Sequence, residues 1–199
     1  MLPPDINASD WAYRGCGTTI RVGLMHLKAL REDFVQQMVA ERQAHGPYRS
    51  LQHFLDRLQP ETAQTTLLIK AGCFDSVAGE LTRPALIWRL FADQSGKPVG
   101  YLPIPTEYST QQKLAHEFEL FGFPLSGHPL DLFTEVPAGL STLPARDLAQ
   151  HIGKEVTLLG WLVTEKVVST KKGEPMEFVT FEDQTSLYDA TFFPGTYRR

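Results

Sequence analysis

The C-terminal part of the chain constrains the fold most, because β-forming runs alternate there with turn residues. Val156–Val163 is rich in apolar residues and continues through Lys166–Val168. A polar loop at Ser169–Gly173 leads into a second run at Met176–Phe181, and a third run follows at Leu187–Phe193. Short β-rich runs separated by glycine-containing and polar turns predict antiparallel strands joined by hairpins.

A long bent strand followed by two shorter strands is typical of the beginning of an OB-fold. Gly160 lies within the first run, where a glycine allows a strand to bend. Because an OB-fold is a five-stranded barrel and only three such runs occur, we expect an incomplete barrel. We expect its open sheet to self-associate, since an unpaired strand edge pairs readily with other strands.

This sheet is also the first candidate nucleic-acid-binding surface. OB-folds stack bases on aromatic side chains while basic side chains follow the phosphate backbone. The candidate contacts are Trp161, Lys166, Lys171, Lys172, Phe178 and Tyr188. The alternative for the aromatic residues is a place in the core, which we expect for Trp161 or Phe181, whereas Lys171 and Lys172 should be exposed loop cations.

The preceding part of the chain is predicted to be helical. Apolar residues at helical spacing, with start and stop signals such as Ser50, Gly72 and Pro84, mark several short helices. The predicted helices are Glu32–Gln43, one capped by Ser50, Thr62–Ala71, one from Thr82 to Phe91, Thr110–Phe121, and shorter turns near Ser126–Phe133 and Ala145–Gln150. Helices followed by a separate sheet predict the α+β class.

Glycine and proline positions suggest the domain boundaries. Residues 1–20 should form an extended lead-in and residues 21–91 a compact helical domain. The stretch 92–107 is rich in helix breakers and is the predicted linker. A helical connector over 108–150 then leads to the truncated OB-fold over 151–199.

Composition excludes several classes of protein. The formal net charge is −4, so the chain is not coated with basic surface. No apolar run is long enough to cross a membrane, and Cys16 and Cys73 are isolated thiols, as expected of a cytoplasmic protein. The histidines lack the spacing of metal ligands. We therefore expect no metal, no cofactor and no membrane partner.

Seven motifs that occur in one order resemble the C-terminal half of the bacterial DNA polymerase III alpha subunit, the C-family replicative polymerase, or an alpha-like paralogue. Any one of them is weak, but together they cover essentially the whole chain. They are Leu2–Asn7, Ile20–Leu24, Gly46–Ser50, Leu68–Asp75, Glu117–Gly122, Leu125–Leu130 and Lys171–Met176.

The resemblance implies the end of the polymerase fingers, a tandem helix-hairpin-helix domain and an OB domain that together hold DNA near the polymerase. A helix-hairpin-helix binds phosphate through the backbone N–H groups of a glycine-containing turn. The first turn, Lys28–Arg31, has no glycine. It is either a plain helix connection or a phosphate site that uses the side chains of Lys28 or Arg31. The second turn keeps Gly72, which either contacts phosphate or simply ends a helix with Phe74 in the core.

The resemblance also implies what this chain lacks. The family's catalytic aspartates lie in a palm that precedes this region, and the scattered aspartates here offer no convergent metal site. We therefore expect no polymerase activity from this chain alone, although its parent family is DNA-directed DNA polymerases. It is expected to start within the family's fingers and to end within its OB domain, as a split subunit or a gene fragment would. The alternatives are an accessory module that docks on a polymerase core subunit and a non-functional remnant.

Overall fold

A computed structural model describes residues 1–95, 105–133 and 141–198. These residues form two compact units, Met1–Gly127 and His128–Arg199. Within the described residues, the first unit holds a β-hairpin and five α-helices, and the second holds a three-stranded sheet and a short helix. The elements are β1 Arg14–Cys16, β2 Thr19–Arg21, α1 Glu32–His45, α2 Leu51–Leu58, α3 Thr62–Lys70, α4 Arg83–Ser95, α5 Thr110–Phe121, β3 Trp161–Ser169, β4 Pro175–Glu182, β5 Leu187–Phe192 and α6 Pro194–Tyr197.

The predicted α+β class is confirmed, and the predicted helices form with small shifts at their ends. Short 3-10 helices occupy Leu24–His26, Asp75–Val77, Pro129–Leu132 and Ala145–His151. Ser50 caps α2 as predicted, because its side chain accepts a hydrogen bond from the backbone N–H of His53 at 3.1 Å. The 92–107 linker lies largely outside the described residues, and the proposed domain boundaries stay predictions.

The core of the first unit is built around aromatic side chains from successive elements. Phe54 of α2 lies between Tyr48 and Phe74, with ring centroids 5.0 and 5.1 Å apart in edge-to-face geometry. All three rings are buried, and the hydroxyl of Tyr48 donates to the carbonyl of Met38 at 2.8 Å. Such pairs stabilise a core beyond the apolar area that they bury. Phe74 is therefore a core residue, as one of the two interpretations of the second turn predicted.

A buried carboxylate explains the motif at the end of α5. Glu117 is 6% exposed, and its Oε2 accepts hydrogen bonds from the backbone N–H groups of Leu125 and Ser126 at 2.6 and 2.9 Å. Gly122 ends the helix in the left-handed conformation, with φ of 83°. A buried carboxylate is tolerated only where donors satisfy it, so Glu117 holds the chain that follows α5 in place.

The sheet of the second unit is an antiparallel meander in the order β3-β4-β5. The three predicted strands are confirmed, but Val156–Gly160 does not belong to the first of them, which begins at Trp161. The carbonyl of Thr157 instead accepts a hydrogen bond from the backbone N–H of Leu143 at 2.8 Å. The chain also passes so close to the neighbouring strands at Gly160 that an added Cβ would lie 2.3 Å from the Tyr188 hydroxyl. The glycine is therefore required for this approach and does not bend a long strand.

The lead-in over residues 1–20 is more ordered than its predicted extended form. β1 and β2 make an antiparallel hairpin with Cys16 opposite Thr19, so the turn consists of Gly17 and Thr18. Gly17 has φ of 58°, which matches the positive φ required at the first central position of a type II′ turn. Leu2 adds a parallel bridge to Arg21. The backbone N–H of Ile6 also donates to the carbonyl of Cys73 at 2.8 Å, so contacts with the rest of the unit help to fix this segment.

Candidate nucleic-acid interface

The first predicted hairpin keeps the shape of a tight turn without a glycine. It connects the 3-10 helix at Leu24–His26 to α1, and Ala29 within it has φ of 65°. A left-handed conformation costs a non-glycine residue about 1–2 kcal/mol. Contacts outside the turn must therefore hold Ala29 in this conformation.

Gln64 of α3 supplies two of those contacts. Its Oε1 accepts from the backbone N–H of Arg31 at 2.9 Å, and its Nε2 donates to the carbonyl of Ala29 at 3.0 Å. The side chain is buried, with 7% exposure. A third contact comes from α5, where the carbonyl of Leu120 accepts from the backbone N–H of Lys28 at 2.9 Å. The turn is thus clamped by two helices that lie far from it in sequence.

The two candidate cations of this hairpin differ in their surroundings. Arg31 is exposed but forms ion pairs with Asp33 at 2.7 Å and Glu61 at 2.8 Å. Its hydrogen bond with Asp33 and the charges of both carboxylates raise the pKa of Arg31. Lys28 is also exposed, and within the described parts of the chain it has no ion pair. Lys28 is therefore the more available cation for an incoming phosphate, and both contacts stay predictions.

The second hairpin is closed by its own backbone. Gly72 has φ of 83°, and its N–H donates to the carbonyl of Ile69 at 3.0 Å, while the N–H of Cys73 donates to the carbonyl of Leu68 at 2.9 Å. This pair of bonds is the Schellman motif that ends many helices. A phosphate bound at Gly72 would have to compete with the bond to Ile69, so this contact also stays a prediction.

An ion pair lies directly against this glycine. The guanidinium of Arg83 donates to Asp75 through Nε at 2.9 Å and to the carbonyl of Lys70 at 3.1 Å. A Cβ on Gly72 would lie 2.2 Å from Nη2 of Arg83. Gly72 is therefore required for the packing of α4 against the turn as well as for the backbone conformation.

In the second unit, one face of the sheet brings a cation and an aromatic ring together. Phe178 in β4 is directly opposite Lys166 in β3 and Thr191 in β5. Opposed residues project from the same face of a sheet. The ring of Phe178 is 49% exposed and Lys166 is exposed. The predicted contacts Lys166 and Phe178 are thus neighbours on one open row.

The loop between β3 and β4 carries Lys171 and Lys172, which are both exposed as predicted. The hydroxyl of Thr170 accepts hydrogen bonds from the backbone N–H groups of Lys172 and Glu174. The loop is therefore ordered by its own hydrogen bonds while its two ammonium groups face solvent. Their contact with DNA stays a prediction.

Tyr188 lies on the opposite face of the sheet from Phe178. It is directly opposite Phe181, and the two rings stack with centroids 5.5 Å apart. Burial raises the pKa of the Tyr188 hydroxyl. Tyr188 therefore packs against the sheet and does not share a surface with Lys166. Phe181 and Trp161, the predicted core residues, are partly buried, and the Trp161 ring lies 6.3 Å from that of Phe133.

Sequence reasoning missed three residues of interest. Arg14 and Arg21 face each other across the β1–β2 hairpin, and the Gly-Thr pair between them is a recognisable hairpin signal. Gln64 carries no such signal, because its role depends on a turn more than thirty positions away in sequence. In the described parts of the chain, no group of three or more potential metal ligands occurs. Among the same residues, no helix is long and apolar enough to cross a membrane.

Comparison with known proteins gives the family context of these features. A family model described as a helix-hairpin-helix motif matches residues 1–85. The chain is 31% identical over 96% of its length to DNA polymerase III subunit alpha of Treponema pallidum, and 30% identical over 99% to that of Aquifex aeolicus. It is also 26% identical over 98% of its length to an error-prone DNA polymerase of Mycolicibacterium paratuberculosis.

The chain spans about a fifth of the length of these relatives, 18% of the first two and 19% of the third. The resemblance carried by the seven motifs is confirmed by these matches, which extend over essentially the whole chain. The chain is therefore related over essentially its whole length to a segment of bacterial DNA polymerase III alpha subunits, and its own residues 1–85 match a helix-hairpin-helix motif.

Proposed function

We propose that this chain binds DNA in replication or repair synthesis, holding template DNA for a polymerase III alpha-like assembly without a polymerase active site of its own. The observation that carries the proposal is the relation to polymerase alpha subunits over the whole chain, joined to a helix-hairpin-helix match at residues 1–85. As a relative of replication proteins it would act in the cytoplasm beside a polymerase core subunit.

The geometry of the first unit supports this proposal. Ala29 and Gly72 both hold the left-handed turn conformation; α1 follows the first turn, and the 3-10 helix at Asp75–Val77 follows the second. In a helix-hairpin-helix, turns of this kind bring backbone N–H groups towards a phosphate. The exposed ammonium of Lys28 next to Ala29 adds a charge that attracts the DNA backbone. Gly72 would contribute mainly by shaping its turn, because its own N–H is already bonded.

The geometry of the second unit supports contact with single-stranded DNA. We propose that the meander acts as the first three strands of an OB-type sheet, with the open row of Lys166, Phe178 and Thr191 as the contact surface. A base stacks on an exposed aromatic ring while lysines follow the backbone. Lys171 and Lys172 would extend this path along the loop. Tyr188 would support the sheet from its other face.

Fluorescence anisotropy with labelled single-stranded and primer-template DNA tests the proposal. We expect binding that weakens steeply between about 50 and about 200 mM salt, as phosphate contacts require. A control measurement with the polyanion heparin separates DNA recognition from general charge attraction. Absence of DNA binding at the lower salt concentration would refute the proposal.

Phe178→Ala tests the sheet separately. Loss of one stacked base should weaken single-stranded DNA binding by about 1–3 kcal/mol. Phe91→Ala is the matched control, because Phe91 is 53% exposed on α4 and belongs to neither proposed contact surface. Equal effects of the two variants would remove the sheet from the proposed interface while leaving the first unit as the remaining candidate.

A further inference from the structure

The β1–β2 hairpin places two arginines side by side. Arg14 is directly opposite Arg21 in the register of the hairpin. Directly opposed residues have Cβ atoms about 5 Å apart and project from the same face. Thr19 is two residues from Arg21 along β2 and therefore shares this face. Two guanidinium groups thus lie on one side of a surface hairpin.

The surrounding carboxylates do not balance these charges. Arg14 lies 3.5 Å from Oδ2 of Asp10, and its side chain is 68% exposed. The other oxygen of Asp10 is bound at 2.7 Å by Arg42, whose side chain is 10% exposed. One carboxylate therefore serves two guanidinium groups, and the contact with Arg14 is the longer one.

Arg21 adds a further positive charge without an ionic partner in the described parts of the chain. Its Nη1 donates to the carbonyl of Pro3 at 2.8 Å, which is a neutral acceptor. That bond fixes the direction of the guanidinium and leaves its other N–H groups for a ligand. Among the residues that the structure describes, Asp10 is thus the one carboxylate paired with Arg14 or Arg42, and none is paired with Arg21. The positive charge of this face of the hairpin is therefore not balanced.

This arrangement has a physical cost that an anion would remove. Like charges directly opposite each other on a sheet are destabilising. The planar fork of a guanidinium matches the oxygens of a phosphate group and can bind it through two parallel hydrogen bonds. A phosphate held between the two side chains would convert the repulsion into two charge-assisted contacts.

We propose that Arg14 and Arg21 form an anion site for a backbone phosphate of nucleic acid. The proposal rests on the DNA binding proposed above and adds a contact outside the helix-hairpin-helix turns. Such a contact positions DNA and reads no sequence, because phosphate is the same at every base. The hairpin would therefore act as an arm that fixes the path of the DNA on the first unit.

A double variant tests this site in the full-length chain. Arg14→Gln together with Arg21→Gln should weaken primer-template binding by about tenfold or more, and should lower the slope of log K against log salt by about 1–2. Arg89→Gln is the matched control, because Arg89 is an exposed arginine of α4. It should leave both quantities close to those of the wild-type chain.

A second pair of measurements keeps the result interpretable. Arg14→Lys with Arg21→Lys retains the charges but loses the forks, and should bind with intermediate affinity. The double glutamine variant should unfold at the same or a higher urea concentration than the wild type, because a like-charge pair has been removed. If the double glutamine variant fails to fold, the double lysine variant tests the site instead. A double lysine variant that binds DNA with the affinity of the wild type would overturn the site.

The possible outcomes separate this proposal from the wider one. A wild-type chain that binds no DNA refutes both. If the wild-type chain binds DNA and the double glutamine variant loses no more DNA affinity than Arg89→Gln does, only the hairpin site is overturned. A last experiment adds inorganic phosphate at constant ionic strength and measures the urea midpoint of the wild type and of the double glutamine variant. If phosphate raises the urea midpoint of the wild type alone while the double variant retains full DNA affinity, the site binds free phosphate, and the nucleic-acid assignment is wrong.

Discussion

Gln64→Leu is the substitution that most directly tests how the first hairpin is held. Leucine has a similar volume but can neither accept from the N–H of Arg31 nor donate to the carbonyl of Ala29. Both bonds are well formed, at 2.9 and 3.0 Å, and Gln64 is 7% exposed. The substitution therefore removes two hydrogen bonds from a turn that already holds a left-handed alanine.

The expected loss follows from these contacts. Each hydrogen bond contributes about 0.5–1.5 kcal/mol net, and a buried group left without a partner costs about 1–3 kcal/mol. Ala29 is exposed, so water can reach its carbonyl, and the larger penalty applies mainly to the N–H of Arg31. The apolar leucine recovers part of the loss by burial. We expect the free energy of unfolding of the first unit to fall by about 2 kcal/mol.

Urea unfolding followed by the helical circular dichroism signal measures this loss, and hydrogen exchange locates it. The amide of Arg31 should exchange much faster in the variant, because its acceptor has been removed. Gln52→Leu is the control, since Gln52 makes only an exposed hydrogen bond to Asp56 at 2.9 Å. Its effect should stay below about 0.5 kcal/mol.

If Gln64→Leu matches Gln52→Leu in stability and the Arg31 amide remains protected, Gln64 does not hold the turn. That result would mean that the turn keeps its shape through its connections to α1 and α5 alone. The left-handed conformation of Ala29 would then need no support from α3.

Two further substitutions probe the other turns. Gly72→Ala should destabilise the first unit by about 3 kcal/mol or more in urea unfolding, because it forces a positive φ on alanine and displaces Arg83 from its ion pair. Gly79→Ala is the control, because Gly79 also has a positive φ, of 62°, but has open space around it and should lose only the backbone contribution. Burial alone would raise the pKa of Asp183, but hydrogen bonds from the Thr185 hydroxyl and three backbone N–H groups lower it to about 2. Because the pKa falls on folding, this carboxylate stabilises the turn above about pH 4 and loses that contribution as the pH falls towards about 2. The stability difference between wild type and Asp183→Asn, read from urea unfolding, should therefore be about 1–2 kcal/mol near neutral pH and shrink in acid; a difference independent of pH would contradict this assignment.

The sequence alone determined the elements whose signals are local. Helices α1 to α5 follow from apolar residues at helical spacing together with caps such as Ser50. The strands follow from β-rich runs between turn residues, and the family resemblance follows from motifs in a fixed order. In each case neighbours within a few positions supply the physical cause, so a linear reading is sufficient.

Only the tertiary structure decided what depends on residues far apart in the chain. It placed Tyr188 and Lys166 on opposite faces of the sheet, because a one-residue change of register reverses the direction of a side chain. It showed that Gln64 of α3 holds the turn at Ala29. Side-chain partners and surface charge are set by which distant segments pack together, and no local pattern in the sequence encodes them.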